Sequence, residues 1–333
     1  MPATPRVTVL GSMNMDISVS VPELPRPGAT VLGSAARFAP GGKGGNQAVA
    51  AARLGAEVRM AGCVGADDFG VRLLEALDSE SVDTSAVRQV PGTASGLALI
   101  PVDPSGENMV TVAAGANETV GDEEVRSVFE HPVDVLIISA EIPALAITAA
   151  LSQAREAHQA REAHQAHEAQ RAGQDGAGAL ICLLNLAPVP PRVGDLLAAG
   201  VDWLVVNEIE AAAVLGHPVS GLADAAAAAG ELLSAGATRA VVTAGPAGAA
   251  CAGPDGTVTV SGFPVRAVDS VGAGDTFVGA LATAIGAGAT PESAVRAASA
   301  AAAVATTRRG TQAAMPHPAE ITALTGVPWP PTS

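Results

Sequence analysis

Two glycine-rich stretches carry the residue types that can do chemistry. Residues 266–277 (RAVDSVGAGDTF) follow a β-branched run with valines at 258, 260 and 265, and they open an alanine-rich helix from Asp275 to Ile285. Gly272 and Gly274 allow backbone geometry that a Cβ would forbid, and they leave bare amides at that helix's first turn. Such amides, at the positive end of the helix dipole, attract phosphate oxygens or a developing negative charge. A carboxylate there would repel a phosphate unless it takes a proton from a hydroxyl attacking the phosphoryl group, which is the role the spacing suggests for Asp275. The plainer alternative is an ordinary first-turn acid that only complements the dipole.

The second stretch, residues 40–47 (PGGKGGNQ), precedes a helix predicted over Ala48–Leu54. It has neither the GxGxxG spacing of a dinucleotide site nor the GxxxxGK[ST] spacing of a P-loop. Its four glycines point the helix start at a ligand, with Lys43, Asn46 and Gln47 available as donors. Upstream, Arg6–Leu10 reads as a buried strand ending in a polar turn, where Asn14 and Asp16 face the same side of extended backbone. They can hold neighbouring hydroxyls, or simply make a turn.

Elements must bring these groups together. From about residue 130 strands and helices alternate: strand 133–139, helix 144 to about 172, strands 179–184 and 201–206, helices 207–215 and 222–235, strand 239–243. Continuous apolar strands in this pattern predict an α/β fold with a mainly parallel sheet covered on both faces. Glu141, Asn185, Asn207, Glu210 and the loop Thr243–Gly248 then follow strand carboxyl ends on one edge, where such sheets bind ligands. Two hairpin-like pairs, Ile17–Val21 with Thr30–Phe38 and Gly96–Val102 with Asn108–Ala113, interrupt the alternation and read as a small β lid. The expected organisation is an α/β core of residues 1–12, 39–93 and 114–333, a lid of 13–38 and 94–113, and a histidine-rich helical extension over 152–178.

Composition narrows the function. Hydrophobic residues make up 48% but aromatics 2%, so the core is aliphatic. A formal charge of −15 argues against nucleic acid and anionic membranes as partners. Cys63, Cys182 and Cys251 are far apart among apolar neighbours, as in a reduced, cytoplasmic protein. The first ten residues lack the apolar stretch of a signal peptide, and no run is long enough to span a membrane. In residues 154–170 the hexad AREAHQ occurs twice. His158 and His164 are six apart and do not share a helical face, while His164 and His167 can touch. The reading is a solvated helix extension, not a metal site.

Taken together, GGKGGNQAVAAARLGA at 41–56 and AVDSVGAGDTFVGA at 267–280 resemble the signatures of the ribokinase (PfkB) family of carbohydrate kinases, and the likeness runs from about residue 6 to about 318. It implies a three-layer αβα domain with a β-sheet lid, and ATP-dependent phosphorylation of D-ribose at O5. By the same resemblance Asp275 is the catalytic base and Gly272, Ala273 and Gly274 the anion hole. Asn14, Asp16, Gly42, Lys43, Asn46 and Glu141 bind the sugar. Asn185, Thr243, Gly245, Gly248 and Ser299, with Gly274, lie around the nucleotide. Asn207 and Glu210 help organise Mg²⁺, and Asp269, Val271, Ala305, Arg308 and Gly310 bind K⁺. A homodimer through the lid is implied as well. The chain departs from the family pattern in the uncharged loop 244–248, in Asn185-Leu186, and in Ala314 where a serine is common, which bears on nucleotide and cation affinity. The alternatives are a kinase of another sugar or a nucleoside, and a non-catalytic sugar-binding protein.

Overall fold

The computed structural model describes residues 4–105, 107–172 and 180–331, and of residues 161–172 only the backbone. The first half contains β1 (Arg6–Leu10), β2 (Asn14–Ser20), β3 (Arg37–Gly41), α1 (Lys43–Arg53), β4 (Glu57–Gly65), α2 (Asp68–Ser79), β5 (Asp83–Val90), β6 (Gly96–Val102), β7 (Thr111–Ala113) and α3 (Asp122–Val128). The middle adds β8 (Val135–Ser139), α4 (Ala144–Ala172), β9 (Ile181–Asn185), α5 (Val193–Leu197), β10 (Val201–Asn207), α6 (Glu208–Leu215), α7 (Gly221–Ser234) and β11 (Ala237–Thr243). The chain closes with β12 (Gly248–Gly253), β13 (Gly256–Ser261), α8 (Ala273–Gly286), α9 (Pro291–Ala305) and α10 (Pro318–Thr325).

Nine strands form one sheet in the order β13-β12-β11-β10-β9-β8-β1-β4-β5. It is parallel from β11 to β5, and at the other edge the β11–β12 and β12–β13 pairings are antiparallel. The central strands read as unbroken apolar runs because both faces are covered. Val135 and Ile137 join one core with residues of α1, α2, α8, α9 and α10, whereas Leu136 and Ile138 join another with residues of α3, α4, α5, α6 and α7. The fold is therefore the expected three-layer α/β arrangement. No helix among the described residues is long and apolar enough to cross a membrane.

The other strands form a small sheet, β3-β2-β6-β7, in which β2 and β6 are parallel and the outer pairings antiparallel. Here the sequence reading needs correction. Residues 30–36 hold no strand, and β3 begins at Arg37. A proline- and glycine-rich connection lacks the alternation that pins a strand. Of the expected 108–113 strand only Thr111–Ala113 pairs regularly, with an isolated bridge from Asn108 to Val102.

Three further boundaries move. Helix α1 starts at Lys43, five residues before the expected Ala48, so the glycine-rich motif is itself the first turns of the helix. Buried against the chain at Gly11–Met13, those turns are held by packing that overrides glycine's weak propensity. The β-branched run expected to reach Val265 ends at Ser261, leaving an irregular connection before α8. The histidine repeat lies on α4, but the side chains from residue 161 on, with His164 and His167, and residues 173–178 lie outside the described residues. His158 is half-buried, its Nδ1 3.1 Å from the Leu180 carbonyl, so the helix there is packed on the sheet rather than solvated all round.

Candidate active site

Gly272 caps α8 with φ at 76°, the left-handed region; it and Gly274 line a cavity, whereas the Ala273 N–H, expected in the anion hole, donates to the Ser270 carbonyl at 3.2 Å. Asp275 follows in the first turn, only 8% exposed, although it carries a carboxylate. Its oxygens are both engaged: Asn46 Nδ2 donates to Oδ2 at 2.9 Å, and Gln47 Nε2 to Oδ1 at 3.1 Å. Burial pushes its pKa above the usual aspartate range, against the pull of Lys43 and the two amides, with Glu141 adding to the rise. A buried carboxylate primed to take up a proton fits a general base better than a mere dipole complement.

Asn46 is fixed in turn, since Gln312 Nε2 donates to its Oδ1 at 3.2 Å. Gln47 is completely buried, and its Nε2 also donates to Asn185 Oδ1 at 2.9 Å. That corrects the expectation that Gln47 offers a donor to a ligand. On α1, Asn46 and Gln47 lie three and four residues after Lys43, so all three share a face, and what occupies Gln47 is its pair of partners, Asp275 and Asn185.

On the other side of the base lie the polar groups of the small sheet. Asn14 and Asp16 begin β2. Gly42, at φ 81°, packs on the backbone of Met13 and Asn14, where a Cβ would stand 2.6 Å from the Asn14 nitrogen. Glu141 accepts from Ser12 Oγ at 2.6 Å and from the Lys43 backbone N–H at 3.2 Å, which joins β1, β8 and α1 at one point. Asp16 is pushed up to about 7 by burial and by the nearby Glu141 and Asp275. Lys43 is held above its usual range, because the attraction of Asp275, Glu141 and Glu210 outweighs the opposing effect of burial. The result is a cluster of three acids around one ammonium at the carboxyl edge of the sheet.

Beyond Lys43 opens a cavity of about 230 Å³ whose wall includes Lys43, Asn185, Asn207, Glu210, Thr243, Gly272, Gly274 and Asp275. Asn207 and Glu210 form a reciprocal cap on α6: Glu210 N donates to Asn207 Oδ1 at 2.9 Å and Asn207 N to Glu210 Oε2 at 2.8 Å. Burial raises the Glu210 pKa, against that cap and Lys43. Base, ammonium, helix-start amides and acid thus face one volume, a layout suited to moving a charged group past Asp275.

Several expected residues stand outside that wall. Gly245 and Gly248 lie in the turn after β11, both at positive φ. Ser299 sits on α9 with its hydroxyl buried and without a hydrogen-bond partner among the described residues. Asp269 ties two loops together, accepting from Val271 N at 3.0 Å and from Gly310 N at 3.1 Å, while its own N–H and that of Val268 go to the Thr306 carbonyl. Ala305 ends α9 just before this loop, and the Arg308 guanidinium turns away to Glu320 at 2.7 Å.

Sequence reasoning passed over Ser12, Gln312 and Asn117, which touch the named residues directly. None sits in a motif with chemistry of its own; only the fold places them beside Glu141, Asn46 and Asn14.

A family model described as "pfkB family carbohydrate kinase" matches residues 4–318. The chain is 33% identical over 312 residues to a ribokinase of Haemophilus influenzae, covering 93% of this chain and 95% of that one. It is 31% identical to a deoxyribokinase of Salmonella typhi, again over 93% and 95% of the two chains. The fold is similar to that of Arabidopsis thaliana ribokinase complexed with ribose and ATP, with a TM-score of 0.81, 26% identity and coverage of 97% and 99%.

Proposed function

The chain belongs to the pfkB family of carbohydrate kinases, and from that premise we propose that it transfers the γ-phosphate of ATP to the 5-hydroxyl of D-ribose, with Asp275 as the base. What supports this reading is that Asp275 shares the wall of one cavity with Lys43, Asn207 and Glu210, and lies near enough to Asp16 of β2 to raise its pKa. Asn14, Asp16, Gly42, Lys43, Asn46 and Glu141 hold the sugar. Asn185, Thr243, Gly245, Gly248 and Ser299 surround the nucleotide, and the orphaned Ser299 hydroxyl suits a water or ligand partner.

In the reaction the 5-hydroxyl passes its proton to Asp275 as its oxygen bonds to the γ-phosphorus and the bond to the β,γ-bridging oxygen breaks, releasing ADP. The amides of Gly272 and Gly274 and the Lys43 ammonium stabilise the charge on the moving phosphoryl group. Glu210 and Asn207, hard oxygen donors on the cavity wall, fit an indirect hold on Mg²⁺, which supplies charge neutralisation to the phosphates. Asp269, Val271, Ala305, Arg308 and Gly310 fit K⁺ in the same sense. They lie on two loops that Asp269 fastens together, and with the Arg308 side chain turned away the donor set is carbonyls and a carboxylate.

The small sheet acts as a lid over the sugar and joins two chains as a homodimer. The buried free thiols of Cys63, Cys182 and Cys251 suit a cytoplasmic setting. A second reading, a kinase of 2-deoxyribose, has the deoxyribokinase relative in its favour. A coupled assay of ADP release with D-ribose, 2-deoxyribose, fructose and adenosine, with and without K⁺, separates them: D-ribose is expected to give the highest kcat/KM. Replacing Asp275 with Asn is expected to lower kcat by about 10²–10⁴ with ribose binding retained. Near-wild-type turnover by that variant would sink the assignment of the base.

A further inference from the structure

Asn14 and Asp16 stand side by side on β2, and what Asn14 offers a ligand depends on which end of its amide faces the site. The two ends have the same shape, and their neighbours decide between them. The deciding neighbour is Asn117, which is 1% exposed and lies in the short 3₁₀ helix Gly115–Thr119.

The orientation of Asn117 is anchored by a group that can only donate. The Met13 backbone N–H gives its hydrogen to Asn117 Oδ1 at 3.0 Å. The Asn117 NH₂ is therefore turned the other way, donating to Asn14 Oδ1 at 2.7 Å, to the Ala114 carbonyl at 3.0 Å and to the Met13 carbonyl at 3.2 Å. Gly96 closes the arrangement, since a Cβ there would run into Asn14 Oδ1 and Asn117 Nδ2. With Oδ1 of Asn14 taken, its Nδ2 has no hydrogen bond among the described residues and is the end left for a ligand.

We propose that Asn117 is a positioning residue that locks the Asn14 amide with its NH₂ toward the sugar, so that Asn14 donates where Asp16 accepts. This rests on the sugar-kinase reading above. A donor beside an acceptor complements two neighbouring hydroxyls, each of which both gives and takes a hydrogen bond. Were the Asn14 amide reversed, the site would present two acceptors side by side.

The test is a double-mutant cycle. Asn117→Asp still accepts from Met13 N–H but can no longer donate to Asn14, which drives the Asn14 amide to turn round. At saturating ATP it is expected to raise KM for D-ribose about tenfold with kcat within about threefold, because Asp275 and Lys43 are untouched. In an Asn14→Ala background the same change is expected to add little, since the residue it acts through is gone. If the two effects simply multiply, or the loss falls in kcat instead of KM, Asn117 does no more than brace the chain at Met13 and Ala114, and the proposal is overturned. Should Asn117→Asp not fold, Asn14→Asp leaves an oxygen to accept from Asn117 while replacing the donor at the sugar. It is expected to show the same rise in KM, and an unchanged KM overturns the proposal. If the wild-type chain phosphorylates no pentose at all, the kinase reading itself falls; if it does and only the cycle fails, the fault lies with Asn117 alone.

Discussion

Asp16 shows how a single side chain can work against the fold that holds it. Its pKa is pushed from 3.8 to about 7, chiefly by burial and then by Glu141 and Asp275, so the folded state favours the neutral acid. The stability it contributes is full below the ordinary aspartate range and is lost as pH rises through about 7. Asp16→Asn is therefore expected to raise the melting temperature of the ligand-free protein at pH 8, with the gain fading by pH 4. A gain that is the same at both pH values would show that Asp16 carries no buried charge. Under the proposed function the same variant is expected to bind sugar more weakly, since it replaces the carboxylate proposed to accept from a sugar hydroxyl.

At the level of elements, the start of α8 depends on two glycines for different reasons. Gly272 needs its left-handed φ, and a Cβ there would stand 2.6 Å from Thr311 Cγ2. Gly272→Ala is expected to cost about 1–2 kcal/mol and to lower kcat by displacing the amides that follow. Gly274 has ordinary backbone, and among the described residues a Cβ there would meet nothing within 4 Å beyond its chain neighbours and its own helix backbone, yet it lines the cavity. Gly274→Ala is expected to leave the melting temperature nearly unchanged and to act on KM for ATP and on kcat. Thermal unfolding alongside steady-state kinetics checks both, and equal destabilisation by the two substitutions would contradict this division. The sequence made the helix start visible but not its distance from the preceding strand: β13 lies at the sheet's edge, and an irregular connection carries the chain back to the centre.

At the scale of the whole molecule, the small sheet leaves large apolar side chains half-exposed on both faces, Phe38 and Leu99 on one and Val112 on the other. Phe38, from one face of β3, stacks on Phe69 of α2 at 6.0 Å, and Ile17 and Leu97 of the same face pack on the main core. The opposite face carries Asp16, Ala98 and Val112, with Val112 49% exposed. An exposed apolar position on a short, open-edged sheet is what a partner sheet would cover. Under the proposed dimer, Val112→Asp is expected to convert it to monomers in sedimentation equilibrium and to weaken sugar binding. A wild-type chain that sediments as a monomer at micromolar concentration would refute the lid-mediated assembly.

By itself the sequence determined the α/β class, the parallel sheet from its unbroken apolar strands, and the two glycine-opened helices with Asp275 and Lys43, because periodicity and glycine-rich turns are local signals. It also placed Glu141, Asn185 and Asn207 at strand ends, since parallel strands share one carboxyl edge. What it left open was which amides face the ligand and which hold the site together. Gln47, which reads as a donor like Lys43, is buried beneath Asp275, while Gln312 and Asn117 go unnoticed yet orient Asn46 and Asn14. Those hydrogen bonds join residues 228, 266 and 103 positions apart. An amide side chain looks the same in sequence whether it meets a ligand or another amide; only the tertiary structure, by burying one end and pairing the other, decides its role.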